Sequence, residues 1–263
     1  MNRLVGKHAL ITGGSQGLGR HLAINFVKEG AAGICIVARR QEFLDEVSDI
    51  LVEINPKVKV ITVAADLSRQ EDIERVVSIT LHEFDGRLDI LVNNASTMGP
   101  SPIPYLLDYP LEDFRHVINT NLIAPFLLIK KLLPAMTENG GSIVNVTSDA
   151  GAVGYPGWGA YGISKFGIEG MSQTWAAELQ GSGVRVNYVD PGNMNTAMHR
   201  TAEPDEDPRQ WADPSEVVEV FVYLASDESK NVNGKRFRAQ RDNNNNHNDS
   251  NNYVEQQVLT QEV

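Results

Sequence analysis

Residues 8–20 read His8-Ala9-Leu10-Ile11-Thr12-Gly13-Gly14-Ser15-Gln16-Gly17-Leu18-Gly19-Arg20. A short apolar run gives way to a glycine-rich turn. The turn opens onto Leu18, Leu22 and Phe26, spaced four apart as on one face of a helix. A strand, a glycine turn and a helix begin a βαβ unit. The alternation then continues along the chain. β-Branched runs at residues 8–12, 34–37, 58–63, 88–92, 142–146 and 184–189 predict strands. They lack strict polar alternation, as strands covered on both faces do. Between them lie helical patterns. Leu44, Val47 and Leu51 share a face, as do Ile168, Met171, Trp175 and Leu179. Ser68 and Glu71 predict a capping box ahead of Ile73, Val76 and Leu81. Asp213-Pro214 predicts a helix start before Val218, Phe221, Val222 and Ala225. Pro125 within residues 121–136 looks like a helix breaker, a residue that kinks or ends a helix.

Alternating strands and helices imply an α/β fold, with a doubly wound parallel sheet between two layers of helices. No linker or internal repeat interrupts residues 1–240, so the reading is one domain. Residues 241–263 form a tail with seven Asn among residues 242–252, and disorder is expected there.

Composition narrows the function. Apolar residues make up 41% and charged residues 22%, an ordinary globular balance. Twenty-three Lys and Arg against 34 Asp and Glu give a net charge of −11, which disfavours nucleic acid and anionic membrane surfaces as partners. No run of about 18 apolar residues occurs. A single Cys excludes an intrachain disulfide and a Cys-based zinc cluster. The six His are scattered without metal-ligand spacing, so no metal is expected. One Cys and a polar start fit a cytoplasmic protein.

The glycine turn carries the first functional signal. In a doubly wound sheet, a pyrophosphate sits at the turn after the first strand. Gly13, Gly17 and Gly19 let the backbone approach phosphates closely, and the helix N-terminus offers free N–H groups. The second strand ends without a carboxylate and is followed by Arg39 and Arg40. A carboxylate there would favour a free ribose, whereas guanidinium favours a 2′-phosphate, so NADP(H) is preferred over NAD(H). Asp66, after the third strand, is placed to meet an adenine amine.

The second signal is Tyr161-Gly-Ile-Ser-Lys165. A spacing of four puts both side chains on one helix face. An ammonium near a phenol lowers the phenol pKa and readies it for proton transfer. Ser148 lies just past the fifth strand, on the ligand side of such a sheet. Asn93-Asn94-Ala95-Ser96 and Asp190-Pro191-Gly192 follow two other strand ends.

With Thr12–Gly19, Asn93-Asn94-Ala95, Asn121-Leu122, Ser148, Tyr161-x-x-x-Lys165 and Pro191-Gly192 with Thr196 in place, the chain resembles the short-chain dehydrogenase/reductase family over residues 5–236. The resemblance implies a Rossmann-like sheet of about seven strands. It implies hydride transfer between NADP(H) and a small carbonyl or secondary alcohol. Tyr161 would be the general acid, and Ser148 would orient the carbonyl. Lys165 would hold the nicotinamide ribose, and Asn121 a water linking Lys165 to solvent. The dinucleotide would lie along Gly13, Ser15, Gln16, Gly17, Leu18 and Gly19, then Arg39 and Arg40. It would continue past Asp66 and Leu67, then Asn93, Ala95 and Ser96, to Pro191, Gly192, Met194 and Thr196. A homotetramer or homodimer through the helices over 121–136 and 158–180 is expected.

Three positions depart from the family. Ser96 stands where glycine is usual, Gln16 is uncharged, and the last strand lacks its usual Asp-Gly-Gly ending. Arg236 and Arg238 read as a solvated basic pair, and Cys35 as a buried small hydrophobe. Residues 97–104, 149–158 and 197–211 should border the substrate, with Tyr155, Trp158 and Met198 as apolar walls. The acidic 197–211 segment reads as a mobile lid that disfavours an anionic substrate. The competing reading is a non-catalytic dinucleotide-binding regulator with the tail as a contact arm. The four-residue Tyr–Lys spacing disfavours enoyl reduction.

Overall fold

The apolar runs assemble into one parallel sheet, β1 (His8–Thr12), β2 (Gly33–Ala38), β3 (Lys59–Ala64), β4 (Ile90–Asn93), β5 (Gly141–Val146), β6 (Val184–Asp190) and β7 (Arg236–Arg238). The computed structural model describes residues 2–240; the disorder expected of residues 241–263 lies outside the described residues. Strand order is β3-β2-β1-β4-β5-β6-β7, and every pairing is parallel. The chain reverses its direction of travel across the sheet between β1 and β4. In open α/β sheets that switch point forms the ligand crevice.

Successive side chains on a strand face opposite ways, and here both faces are apolar. Ala9 and Ile11 of β1 and Ile34 and Ile36 of β2 join one core. Leu10, Cys35 and Val37 join the other. The first core is closed by α1 (Gly17–Lys28), α2 (Gln41–Ile54) and α8 (Glu219–Ala225). The second is closed by α3 (Gln70–Glu83), α5 (Ala124–Thr137) and α6 (Gly159–Glu178). This is the three-layer doubly wound arrangement the alternation implies. Burial pushes the Cys35 thiol up to about 12, partly offset by a hydrogen bond from Thr80, so it is an inert core residue.

Two local expectations change. The Ser68–Glu71 capping box does not form, and α3 begins at Gln70 without a side-chain cap. Asp66 takes the Ser68 hydroxyl instead: its Oδ1 accepts from Ser68 N (2.9 Å) and Ser68 Oγ (2.8 Å). Asp72 Oδ2 then accepts from Asp66 N at 2.8 Å, so a carboxylate inside the helix holds the turn before it.

The kink expected at Pro125 is a π-helical turn over Asn119–Ile123. It joins α4 (Leu111–Ile118) to α5 in one helix of 27 residues. Pro125 has no N–H to offer an i−4 carbonyl, and the wider turn absorbs the mismatch. This helix is long and apolar enough, by length and composition, to cross a membrane. Here Leu128, Ile129, Leu132 and Met136 are fully buried against the sheet, as in the core helix of a globular domain.

Candidate active site

The C-terminal ends of the strands open onto one groove across the switch point, with a cavity of about 560 Å³. That volume suits a small-molecule or cofactor site. At one end lies the turn after β1. Gly13 (φ +69°) and Gly17 (φ +51°) adopt left-handed backbone, which favours glycine. A Cβ on Gly19 would meet the Gly13 carbonyl and lie 2.6 Å from Asn94 Nδ2. Gln16 precedes α1 without a side-chain cap, and the first turn has no acidic residue. The leading N–H groups of α1 are therefore available to an anion.

Ser15, Gln16, Gly17 and Leu18 line this end with Gly13, while Gly19 lies behind as the spacer that lets α1 approach the turn. Thr196 crosses from the far side, its methyl 3.3 Å from where a Gly17 Cβ would stand. Arg39 and Arg40 line the groove at the exposed end of β2, and the Arg40 guanidinium lies 3.9 Å over the Phe43 ring. Asp66 and Leu67 follow. Burial opposes ionisation of Asp66, but the Ser68 hydrogen bonds, with His116 and Arg39 nearby, hold its carboxyl below the usual range.

After β4, side-chain alternation decides which asparagine faces the groove. Asn94, Ala95 and Ser96 line it, whereas Asn93 turns into the sheet. Asn93 Nδ2 donates to Asn145 Oδ1 at 2.8 Å. Asn94 Nδ2 donates to Thr12 O at 2.8 Å, tying β4 to β1 at the crevice. The Ser96 and Thr120 hydroxyls and His199 Nε2 are buried, line the groove and have no hydrogen-bond partner among the described residues. Unpaired polar atoms are uncommon in native interiors, and these three suit a polar ligand.

The other end holds Ser148, Tyr161 and Lys165. Lys165 Nζ donates to Val146 O at 2.9 Å and lies 5.3 Å from the Tyr161 ring centroid. Tyr161 is 8% and Lys165 3% exposed. The expected lowering of the phenol pKa is not found. Burial pushes Tyr161 up, a Ser148 hydrogen bond pulls it down, and Asp190 and Asp149 raise it further. The Lys165 ammonium is engaged by the Val146 carbonyl, and burial lowers it to about 8 against Asp190 and Glu169.

Ser148 Oγ donates to Asp149 Oδ1 at 2.8 Å. Asp149 Oδ2 accepts from Tyr155 OH at 3.2 Å. Asp149 lines the groove and Tyr155 does not, so that expected wall residue instead braces a carboxylate beside Ser148. Trp158 and Met198 do line it, as do Pro191, Gly192 and Met194. Asn121 lies behind the groove, within the π-helical turn. Its Oδ1 accepts from Thr97 N (2.8 Å), and its Nδ2 donates to Thr97 O (2.9 Å) and Ser164 Oγ (3.0 Å). Only one Oδ1 lone pair remains for a water.

Residues 197–211, expected as a lid, are folded. Thr196 caps α7 (Ala197–Ala202), the His199 ring packs edge-on to Trp211 at 4.3 Å, and Trp211 Nε1 donates to Glu206 Oε2 at 3.0 Å. Burial keeps His199 below its ordinary pKa, against Glu206, Glu203 and Asp149. Asp149 and His199 fall within the segments expected to border the substrate, though the sequence singled out neither.

Comparison with known proteins decides the family. The profile described as short chain dehydrogenase matches residues 7–207. A 3-oxoacyl-[acyl-carrier-protein] reductase, FabG, of Thermotoga maritima is 36% identical over 247 residues, covering 89% of this chain and 96% of that protein.

The chain belongs to the short-chain dehydrogenase/reductase family.

A short chain dehydrogenase structure from Pseudomonas syringae superposes with a TM-score of 0.86 at 35% identity, covering 91% of this chain and 96% of that one. One from Shigella flexneri, complexed with NADP, gives 0.84 at 30% identity, covering 92% and 100%. As a member of this family the protein is a dinucleotide-binding oxidoreductase acting on small molecules. Its departures from the short-chain dehydrogenase/reductase pattern have visible consequences. Ser96 places a hydroxyl against the groove. β7 is followed by Ala239-Gln240 rather than by glycines. Gln240 Nε2 donates to Pro191 O (2.8 Å) and Asn193 O (2.9 Å), so the segment after β7 clasps the turn after β6. Arg236 is not solvated: it is paired with Glu169 at 3.0 Å and Asp190 at 3.1 Å beneath Ser148.

Proposed function

We propose that this protein is an NADP(H)-dependent oxidoreductase that interconverts a carbonyl and a secondary alcohol. The observation that carries the reading is the convergence of Ser148, Tyr161 and Lys165 with the α1 N-terminus in one groove. The uncapped helix start, the glycine turn and the unpaired Ser96 hydroxyl fit a bound dinucleotide. The pyrophosphate would lie on residues 13–18, the adenine near Asp66 and Leu67, and the 2′-phosphate on Arg39 and Arg40. Ala95, Pro191, Gly192, Met194 and Thr196 would flank the rest. The bound cofactor supplies the hydride. Phosphate recognition by Arg39 and Arg40 favours NADP(H), in keeping with the NADP complex of the Shigella flexneri relative.

The residues of the chain supply orientation and the proton. Tyr161, held protonated by burial, donates its hydroxyl proton to the carbonyl oxygen during reduction. Ser148 turns its single hydroxyl proton from Asp149 to the same oxygen and so polarises the carbonyl. Lys165 holds the nicotinamide ribose and draws Tyr161 towards phenolate once the proton has left. Asn121 fixes residue 97 against α6, and its remaining lone pair holds the relay water. Asp149 at the mouth, with Glu203 and Glu206 around His199, favours a neutral or cationic carbonyl compound.

Titration of the purified protein with NADPH and NADH, followed by nicotinamide fluorescence, is expected to show saturable NADPH binding at least tenfold tighter than NADH. Equal affinity would remove the assignment of Arg39 and Arg40.

We also propose a homodimer or homotetramer. Phe126 on α5 and Ile163 and Phe166 on α6 are 37%, 43% and 47% exposed, and Ile123 in the preceding π-helical turn is also uncovered. A second copy of the same helices would bury these side chains. Light scattering coupled to size-exclusion chromatography is expected to give a dimer or tetramer mass, and a monomer would contradict the interface.

A further inference from the structure

β7 carries a half-buried guanidinium outside the Ser148, Tyr161 and Lys165 set. Register places Arg236 beside Tyr188 of β6. Its Nε donates to Glu169 Oε1 at 3.0 Å. Its Nη2 donates to Ser148 O at 3.0 Å and to Asp190 Oδ2 at 3.1 Å. Each acceptor belongs to a different part of the site. Ser148 O is backbone of the turn after β5. Glu169 stands one turn beyond Lys165 on α6, and its Oε1 also accepts from Thr147 Oγ1 at 2.8 Å. Asp190 ends β6, and its Oδ1 accepts from Gly192 N at 3.0 Å. One planar side chain thus joins the serine turn, the tyrosine helix and the turn after β6. A guanidinium fork fixes such directions, and an ammonium does not.

The charges matter as much as the geometry. The Glu169 and Asp190 side chains are 11% and 7% exposed, and Arg236 is 18% exposed. Asp190 and Asp149 face Tyr161, while Asp190 and Glu169 face Lys165. Tyr188 faces Glu169 and Arg236, and from α7 His199 faces Asp149. Among these groups Arg236 offsets the two carboxylates it touches. Without it, two nearly buried carboxylates would act on Tyr161 and Lys165 uncompensated.

We propose that Arg236 is a positioning residue of the active site: it locks the Ser148 turn to α6 and β6 and neutralises the carboxylates beside Tyr161 and Lys165. The proposal rests on the reading of Tyr161 as the acid–base group.

The test uses the full chain with Arg236→Gln, Arg236→Lys, Glu169→Gln and the Arg236→Gln/Glu169→Gln double variant. Two pH profiles are read, kcat/KM for carbonyl reduction and the Kd for NADPH. The first falls as Tyr161 loses its proton, and the second weakens as Lys165 does. Arg236→Gln is expected to lower kcat by about 10²-fold, as displaced catalytic groups do. It should also move both limbs to higher pH by about one unit, because extra negative charge favours the protonated forms. Glu169→Gln should move them the other way, and the double variant should bring them back to wild type. Arg236→Lys should keep the wild-type limbs, having kept the charge, but lose kcat, having lost the fork. Limbs of Arg236→Gln that coincide with wild type, or stay displaced in the double variant, would overturn the proposal. If Arg236→Gln fails to fold, Glu169→Gln and Arg236→Lys decide it by the same two limbs. Tyr161→Phe run alongside separates the two failures. Full activity there removes the acid–base reading, whereas an inactive Tyr161→Phe with unmoved Arg236→Gln limbs removes only the role of Arg236.

Discussion

Replacing Tyr161 with Phe is expected to lower carbonyl reduction by about 10³-fold or more, while the Kd for NADPH changes less than about twofold. General acid–base groups contribute typically about 10²–10⁴-fold. Tyr161 should sit in the upper part of that range. Its side chain is nearly buried at the groove, and the neighbouring Lys165 ammonium donates to the Val146 carbonyl. The substitution removes one oxygen and leaves the ring. The ring packs against Trp158 at 5.6 Å between centroids, so the fold of α6 should survive. Steady-state kinetics with a matched NADPH titration checks this. An active Tyr161→Phe protein would remove the proton donor assigned here.

The second large effect falls on the cofactor. Changing Arg39 and Arg40 together to Ser is expected to weaken NADPH binding by on the order of 10²-fold or more and to leave NADH nearly unchanged. A hydrogen bond to a charged group contributes about 1.5–3 kcal/mol, and two are lost. Arg40 is the more ordered of the pair, because its guanidinium rests 3.9 Å over Phe43 and is already oriented. Fluorescence titration of the single variants should rank their losses. An unchanged NADPH to NADH ratio in the double variant would show that the 2′-phosphate is read elsewhere.

What was legible in the sequence was local. The glycine turn names its own conformation, because Gly13 and Gly17 take positive φ where other residues are strained. The first six strands announced themselves by being apolar on both faces. β7 did not, since Arg-Phe-Arg has one apolar residue and pairs only with the sheet edge. Spacing of four was enough to put Tyr161 and Lys165 on one face of α6. What stayed hidden depended on long-range register. Whether Asn93 or Asn94 faces the groove turns on where β4 ends, and the end of the strand is the least certain part of any pattern. Arg236 looked solvated because Glu169 and Asp190 lie 67 and 46 residues away in sequence and meet it only through the sheet. The Ser68 hydroxyl donates to Asp66 rather than capping a helix N–H, because a turn of two residues closes more readily than the longer reach into the helix.

The electrostatics of the site were the least visible. A lysine four residues from a tyrosine reads as an activator of the phenol. In the fold its ammonium turns to a backbone carbonyl, and burial together with Asp190 and Asp149 keeps Tyr161 protonated. That state leaves the hydroxyl proton on Tyr161, where the proposed reduction uses it. The same groups bear on direction: alcohol oxidation needs the phenolate, and its rate should climb as pH rises.

Hydride transfer itself is the most direct test. NADPH carrying deuterium at both C4 positions of the nicotinamide, incubated with the protein and a panel of ketones and aldehydes, should place deuterium on the carbinol carbon of the product. One deuterium should appear per NADPH consumed, and the Tyr161→Phe protein should transfer it about 10³-fold more slowly. NADPH that binds but passes deuterium to no carbonyl in the panel would contradict the oxidoreductase mechanism and leave a dinucleotide-binding regulator in its place.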